Sequence, residues 1–530
     1  MMYRTLHLLL GLALLSSLAC AQGAKDEKNP IIEEFRKYFR SPEPEVRRDQ
    51  VERLAKVNSK ESVQLLISKG LRDDVYSVRE KAIWALSRVT DQGAMDELFA
   101  AVLAPKAETR EGVVLAIGAM TALDDNPMGR TAVVRLLTSK LGTDRSELVR
   151  SAIAESLGML GDVKAAAALI TALNDKAERV VISAVDSLGI LKAPEGGRPL
   201  IPLLQHGSWR VQVAALRALG RIRIKESIGP IIDYLASATG RPTEDARNAL
   251  VKITQRTFGM NATTWREWWD RNQSGWEVPP EGKPKTEKEV GNAGYGRKPT
   301  RYHRIETFSK RIIFVIDISN SMKTPILVKA GTKPKRPGPD LGTPKILLAR
   351  EELATCLTGM NSEVWFNIIA FETGVRQFKK TAVRASPGTI QAALRWIEKQ
   401  RPRKAGGNRR RQSSDVDKNG WILGKTNTYG ALAAVFGLKI DPKHGVRSTT
   451  APSPGKKRRP KWDTCFFLSD GEPTVGVVVN IEEILQDVKR WNKTCKMIIH
   501  CIGMEHQAGV ATLLNGLAQI TGGKCVFVGK

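Results

Sequence analysis

The spacing of hydrophobic residues divides the chain into two parts with different periods. From about residue 31 to residue 272, apolar side chains recur at positions i, i+3, i+4 and i+7, which is the period of an amphipathic helix. After about residue 309 the apolar residues form short continuous runs rich in Val, Ile and Phe, which are typical of buried strands. The pattern predicts an all-helical part followed by a part that contains a sheet.

One motif recurs along the helical part. Its copies include VRRDQVERLAKV, VREKAIWALSRV, TREGVVLAIGAM and VRSAIAESLGML. The second positions of seven copies are Arg47, Arg79, Arg110, Arg150, Val181, Gln212 and Arg247. A repeat of roughly 30 to 40 residues predicts stacked helix pairs, in which each pair covers an apolar face that its neighbour cannot bury alone.

These repeats resemble the short HEAT-like repeats of bacterial proteins, which implies an all-α solenoid with a concave binding surface. The solenoid could act as a scaffold that carries a partner, or it could only support the domain that follows. Its last segment, TTWREWWDRN, places Trp265, Trp268 and Trp269 on one helix face. We expect these rings to cap the last repeat; a stacking platform for a ligand is the alternative.

A linker and an α/β domain follow the solenoid. Residues 273–308 are rich in Pro and Gly, which interrupt regular structure. The predicted strands are RIIFVID, VWFNIIAF, DTCFFLSD, KMIIHCIGM and CVFV, and the predicted helices lie near 345–359, 387–399, 428–439, 481–491 and 508–521. This alternation predicts an α/β doubly wound, mostly parallel sheet with helices on both faces.

Carboxylates and hydroxyls follow the predicted strands at the points where they end. Asp317 ends the first strand and is followed by Ser319 and Ser321, Asp470 ends a later strand, and Thr426 precedes a helix. In such sheets ligands bind beyond the carboxyl ends of the strands. Oxygen donors without His or Cys suit a hard divalent cation, most naturally Mg²⁺, with Mn²⁺ or Ca²⁺ as alternatives. A helix cap formed by Asp317 and the two serines is the competing interpretation.

The set resembles the metal-ion-dependent adhesion site (MIDAS) of von Willebrand factor type A (vWA) domains, whose motif is DxSxS, then Thr, then Asp. The resemblance covers about residues 309–530. It implies that Ser319 and Ser321 bind the ion directly, and that Thr426 binds it directly or through water. Asp317 and Asp470 would hold bound waters. An open coordination position would then accept a Glu or Asp side chain of a partner protein.

Positive charge is concentrated in three loops of this domain. The formal net charge is +28, and residues 323–345, 401–412 and 446–462 carry six basic residues each with a single acid, Asp340. These loops therefore account for more than half of the net charge. They could attract an acidic protein or an anionic polymer such as polysaccharide, nucleic acid or lipid headgroups, or they could simply be solvated.

The first residues are typical of an export signal. Arg4 precedes a short apolar run, and Ala19-Cys20-Ala21 offers a cleavage site, so residues 1–21 are predicted to be a signal peptide. The protein would be periplasmic or extracellular, or alternatively a lipoprotein anchored through Cys20. No transmembrane segment is predicted in the mature chain. The remaining cysteines are Cys356, Cys465, Cys495, Cys501 and Cys525, whose pairing the sequence does not give.

We therefore expect four segments: a signal peptide (1–21), a HEAT-like solenoid with a Trp-rich cap (22–272), a linker (273–308) and a vWA domain with basic insertions (309–530). No catalytic arrangement of His with Ser, Cys or metal ligands is visible, so an enzyme is not expected. The leading hypothesis is metal-dependent protein recognition, in adhesion or assembly, at the cell envelope. The alternatives are an electrostatic binder of anionic polymer and a scaffold whose partner binds the solenoid.

Overall fold

The structure is a computed structural model of the 530-residue chain. It describes residues 29–120, 123, 127–286, 299–326, 342–402, 422–438, 440–441, 445–446 and 462–528. The predicted signal peptide and most of the three basic loops lie outside the described residues. None of the described helices is long and apolar enough to cross a bilayer.

The amino-terminal part is a succession of helices. They are α1 (Pro30–Tyr38), α2 (Pro44–Ala55), α3 (Lys60–Ser68), α4 (Tyr76–Leu86), α5 (Gln92–Ala100), α6 (Ala107–Gly118), α7 (Pro127–Leu141), α8 (Glu147–Leu160), α9 (Ala166–Ala172), α10 (Glu178–Leu191), α11 (Gly197–Leu200), α12 (Trp209–Ile222), α13 (Ile228–Ser237), α14 (Pro242–Thr254) and α15 (Ala262–Asn272). The helices α6, α8, α10, α12 and α14 pack in series. A continuous hydrophobic core runs from Ile32 to Trp269, as stacked repeats require.

The recurrent arginine of the repeats has a structural role. Arg47 donates from Nε and Nη2 to the two carboxylate oxygens of Asp73 at 2.7 and 2.9 Å. Arg150 binds Asp175 in the same two-pronged way, and the pattern occurs again between Arg110 and Asp144. Because these charges are paired between one helix and the loop that leads to the next repeat, they hold neighbouring repeats together.

The tryptophans at the end of the solenoid pack against its hydrophobic core and against each other. Trp265 is fully buried and Trp269 nearly so, while Trp268 is packed against the same core. Phe258 and Trp276 lie edge-on or tilted against these rings, with ring centroids 4.8 to 6.1 Å apart. This mutual packing of the rings is what the cap interpretation predicts.

The carboxyl-terminal part contains a seven-stranded sheet. Its strands are β1 (Arg311–Asp317), β2 (Trp365–Phe371), β3 (Val375–Gln377), β4 (Val383–Arg384), β5 (Thr464–Ser469), β6 (Ile498–Gly503) and β7 (Cys525–Phe527). The order is β4-β2-β1-β5-β6-β7, with β3 paired to β2, and β2, β1, β5, β6 and β7 run parallel. The parallel strands β1 and β5 therefore end side by side, each at a carboxylate.

Helices cover both faces of this sheet, as the parallel strands require. On one face lie α16 (Lys345–Thr358) and α17 (Pro387–Lys399), and on the other lie α18 (Thr428–Val435), α19 (Ile481–Cys495) and α20 (Ala508–Thr521). Short ladders pair Arg256–Thr257 with Lys285–Thr286, Thr300–Tyr302 with Ile305–Thr307, Pro325–Ile326 with Thr343–Pro344, and Ile440–Asp441 with Gly445–Val446. The five cysteines of the described residues are free thiols.

Two helix ends differ from the sequence expectation. The helix predicted near 428–439 ends at Val435, because Gly437 takes a left-handed φ of 69° and the N–H of Leu438 turns back to the carbonyl of Ala433 at 2.9 Å. The helix predicted near 481–491 continues to Cys495 and ends where Lys496 takes a φ of 55°. The longer helix α19 carries its basic residues further along one side.

The two parts pack against each other at the amino ends of the strands. Arg241, which has no exposed surface, lies at the start of α14 and donates to the carbonyl oxygens of Asp463 and Lys496. Glu244, on the same helix, accepts from the hydroxyl of Thr307 and the N–H of Phe308 at 2.9 and 2.7 Å. The last repeat thus closes the end of the sheet opposite to the edge at which Asp317 lies.

Candidate metal centre

The centre is built around the end of β1. Asp317 is fully buried, and its Oδ1 accepts a 2.8 Å hydrogen bond from the N–H of Ser319. Its Oδ2 accepts from the hydroxyl of Ser469, the last residue of β5, at 2.6 Å. Both carboxylate oxygens are therefore held in place, and the chain leaves the strand in a turn that brings Ser319 and Ser321 over the sheet edge.

The two serines and the second aspartate are in direct contact. The hydroxyl oxygens of Ser319 and Ser321 are 3.0 Å apart, and Ser321 donates to Asp470 Oδ1 at 2.8 Å. Asp470 follows β5 directly and is 1% exposed. The parallel pairing of β1 with β5 is what brings together residues about 150 positions apart in sequence.

Thr426 lies against the same group. Its N–H donates to the hydroxyl of Thr474, and its carbonyl accepts from the N–H of Thr474, both at 2.9 Å. Next to Asp470 is Gly471, where a Cβ atom would come 3.3 Å from Thr426 Oγ1 and 3.7 Å from Ser321 Oγ. The absence of a side chain at Gly471 keeps open the space in front of these two hydroxyls. All five predicted residues are thus brought together.

A buried lysine is part of the centre, although its sequence position gave no such indication. Lys345 was counted among the basic residues of the loop 323–345, yet it begins α16 and is 2% exposed. Its Nζ donates to Asp470 Oδ2 at 2.9 Å and lies 2.6 Å from Glu505 Oε1. The expectation of a loop charge at Lys345 is therefore wrong, because its ammonium group is folded in against two carboxylates.

The electrostatics of the centre favour a cation. Burial, and after it the neighbouring Asp470, raises the pKa of Asp317 to about 7. Two carboxylates are held close together while Lys345 supplies a positive charge on one side only. Additional positive charge between them would favour the ionised form of Asp317.

Residues at the end of β2 hold the Thr426 segment in position. Glu372 is 1% exposed and accepts from the N–H of Gly424 at 3.1 Å, and its carbonyl accepts from the N–H of Asn427 at 3.0 Å. Thr373 donates to the carbonyl of Ile422 at 2.6 Å. The sequence analysis missed Glu372, Thr373 and Ser469; the signal available was that β2 and β5, like β1, end in polar residues at the same sheet edge.

The donors fit a small hard cation. In octahedral coordination with metal–oxygen distances of about 2.1 Å, adjacent ligand atoms are about 3 Å apart. The hydroxyl oxygens of Ser319 and Ser321, the two residues expected to bind the ion directly, are 3.0 Å apart, which is compatible with that edge. Within the described residues no group of three His, Cys, Asp or Glu side chains could hold a metal, so a metal here would depend on the hydroxyl donors.

Two family models match the chain. A model of HEAT repeats matches residues 32–118 and 104–189, and a model of the von Willebrand factor type A domain matches residues 345–415 and 422–527. The second match contains Thr426 and Asp470, and it begins after Asp317, Ser319 and Ser321. No curated protein matches the chain.

Solved structures resemble one part of the chain or the other. A von Willebrand factor type A protein from Catenulispora acidiphila is 17% identical over 42% of this chain, which spans 39% of that protein, with a TM-score of 0.26. The complex of CpcE and CpcF of phycocyanin lyase from Nostoc sp. PCC7120 is 22% identical over 44% of this chain and 92% of its own, also at 0.26. Kap121p bound to Pho4p is 16% identical over 46% and 31%, at 0.35. At these TM-scores the similarities add nothing to the family matches.

Proposed function

Because the chain carries HEAT repeats followed by a von Willebrand factor type A domain, we propose that its role in protein interaction depends on Mg²⁺ bound at the strand-end centre. The single observation that supports this is the convergence of Asp317, Ser319, Ser321, Thr426 and Asp470 at one sheet edge. When bound, the ion supplies a Lewis-acidic position for a carboxylate from a partner.

The chain's own residues have separate tasks in this proposal. Ser319, Ser321 and Thr426 offer neutral hydroxyl oxygens, so the ion keeps enough positive charge to attract a Glu or Asp of another protein. Asp317 and Asp470 balance charge from behind, and Gly471 leaves the approach open. This is recognition without bond-making, so we propose no enzymatic activity.

The proposed site of action is the cell envelope, and it rests on the signal-like residues 1–21. A lipoprotein anchored through Cys20 is the variant of that location. The excess of basic residues favours one second candidate, an electrostatic binder of anionic polymer, in which the metal centre would be structural.

The test compares Ser321→Ala with Ser362→Ala, a matched control because both serines are exposed residues of the same domain. In the unmodified protein, Mg²⁺ at 100 times its dissociation constant should stabilise the fold by about 2.7 kcal/mol. Ser321→Ala removes one donor oxygen and should lose most of the Mg²⁺-dependent shift in Tm, whereas Ser362→Ala should keep it. Equal shifts in the two variants would contradict the proposal.

The same proteins distinguish the candidate functions in a pull-down from envelope extract. Capture that disappears with chelator and with Ser321→Ala supports metal-dependent recognition. Capture that survives both changes but is lost in moderate salt supports the polymer candidate, because phosphate or carboxylate polymers release counterions on binding.

A further inference from the structure

The helix α19 of the vWA domain lies against the stacked helices of the solenoid. Arg490 pairs with Glu80 and lies 3.9 Å from Glu111. Further along, Lys493 pairs with Glu155, and Lys496, directly after the helix, pairs with Asp186. A row of basic groups on one domain thus meets a row of acids on the other.

The spacing of both rows is regular. The basic residues are three positions apart: Arg490 and Lys493 lie on one side of α19, and Lys496 follows at its end. The acids come from the successive packed helices α4, α6, α8 and α10: Glu80, Glu111, Glu155 and Asp186. One acid from each of four stacked helices forms a ladder, which we call the acidic ladder.

The opposite end of α19 carries the opposite charge. Glu483, in the first turn of α19, pairs with Arg48 of α2. Reversing the helix would bring Glu483 toward the acidic ladder and Arg490 toward Arg48, so like charges would face each other. The polarity of the charges therefore specifies one orientation of α19 on the solenoid.

Packing supports the charge pairs. The Arg490 guanidinium lies over the ring of Tyr76, 5.3 Å from its centroid, and Tyr76 is 1% exposed. Yet the ladder carboxylates keep between 19% and 32% of their side-chain surface exposed. Partly exposed pairs are weakened by salt, so the charge pairs of this contact should weaken as the salt concentration rises.

We propose that the acidic ladder is a receptor surface for a helix with Lys or Arg at every third position, and that the chain's own α19 is its occupant. Within one molecule the solenoid is closed on the vWA domain. A second protein that offers the same basic spacing would have to displace α19, so binding of that protein to the acidic ladder and docking of the vWA domain on it exclude each other.

Zero-length carbodiimide cross-linking of the full chain tests the contact, since it joins an amine to a carboxylate only where the two touch. Performed in chelator, so that the result does not depend on the metal centre, it should yield Lys493–Glu155 and Lys496–Asp186 products at low salt and several-fold less in high salt. Absence of both products at low salt would overturn the proposal.

Charge reversal tests the specificity. Lys493→Glu with Lys496→Glu should open the molecule and raise its radius of gyration in X-ray scattering. Adding Glu155→Lys and Asp186→Lys should restore the compact value.

Lys489→Glu is the control, because Lys489 is exposed on the same helix. An unchanged radius in the double reversal, or no recovery in the fourfold variant, counts against the proposal. If the reversal does not fold, Glu155→Gln with Asp186→Asn should give the same opening from the solenoid side.

Competition tests the receptor role. A peptide of residues 481–496 should lower the yield of the cross-links in the full chain, and a peptide of equal composition with the basic spacing scrambled should not. Equal effects of the two peptides would mean that non-specific charge attraction alone governs the surface.

Discussion

At the scale of single residues, Lys345 shows how far the environment of a side chain can differ from the one that its position in the sequence predicts. In the sequence it follows a run of Pro, Gly and Lys and resembles one more solvated loop charge. In the structure its ammonium group is buried between Asp470 and Glu505. The ammonium group of Lys345 neutralises part of the negative charge of the proposed metal centre and would repel an incoming cation.

We therefore predict that Lys345→Met increases the response to Mg²⁺. Without metal the variant should lose roughly 3 to 5 kcal/mol, since the buried carboxylate of Asp470 is left without its cationic partner. With Mg²⁺ the shift in Tm should exceed that of the unmodified protein, because the repulsion is gone. Thermal unfolding with chelator and with Mg²⁺ measures both effects.

Lys323→Met is the control for this prediction. Lys323 lies near the same loop but is exposed, so solvent screens its charge. Its response to Mg²⁺ should equal that of the unmodified protein. A Lys345→Met protein that also responds like the unmodified one would exclude the proposed role of the Lys345 ammonium group.

At the scale of elements, small residues set the spacing of the repeat helices. A Cβ atom on Gly158 of α8 would lie 2.5 Å from the hydroxyl oxygen and 3.0 Å from the Cα of Ser187 on α10. The same close approach occurs at Gly118 against Ser156. The hydroxyl of Ser187 in turn donates to the carbonyl of Ala154 at 2.7 Å. These contacts explain why Gly stands at this position of the repeat motif in α6 and α8.

Gly158→Ala should therefore destabilise the protein, although Ala is the better helix former. In an exposed helix the exchange gains up to about 1 kcal/mol, but here the methyl group meets backbone and overpacking costs about 1 to 3 kcal/mol. Urea unfolding monitored by helical circular dichroism measures the change.

Gly93→Ala in α5 provides the matched comparison. Gly93 is exposed, and its added Cβ would meet only Asp91 at 3.4 Å. This variant should be slightly more stable than the unmodified protein. The same sign of change at Gly93 and Gly158 would refute the packing explanation.

At the scale of the whole molecule, Arg241 joins the two parts. Besides its two carbonyl partners, its Nε lies 3.3 Å from Asp245, and its guanidinium is 5.6 Å from the ring centroid of Trp209. Burial lowers the pKa of this guanidinium; its Nη1 donates to the two carbonyl oxygens, whereas Nε and Nη2 have no hydrogen-bond partner among the described residues. The guanidinium group of Arg241 thus lies inside the junction between the last repeat and the sheet.

Arg241→Ala should uncouple the unfolding of the two parts. It leaves Asp245 and two carbonyls with fewer donors, a change that costs roughly 3 to 5 kcal/mol for a broken buried pair. Differential scanning calorimetry should then resolve separate transitions for the solenoid and the sheet domain at lower temperatures. Arg198→Ala, which removes a surface pair with Glu226, should leave the calorimetric profile unchanged; the same profile for both variants would argue against the coupling.

The sequence by itself determined the local order of this protein. The prediction of HEAT repeats followed by a vWA fold is confirmed. It could be made from the sequence because a helical period of 3.6 residues and continuous apolar runs of strands are properties of short sequence windows. The sequence also indicated the candidate metal-binding residues, because each of them ends, follows or precedes a predicted strand or helix near the carboxyl ends of the strands. They are Asp317, Ser319, Ser321, Thr426 and Asp470. Whether they bind Mg²⁺ remains a prediction.

Tertiary structure alone decided which charges meet. Lys345 and Asp470 are 125 positions apart, and Lys496 and Asp186 are 310 apart. No local pattern separates a basic residue that will be buried against a distant acid from one that stays in water, because the pairing energy depends on a contact that only the folded chain creates. For that reason the sequence indicated the candidate oxygen donors but could not predict Lys345 beside them or the pairing of α19 with the solenoid.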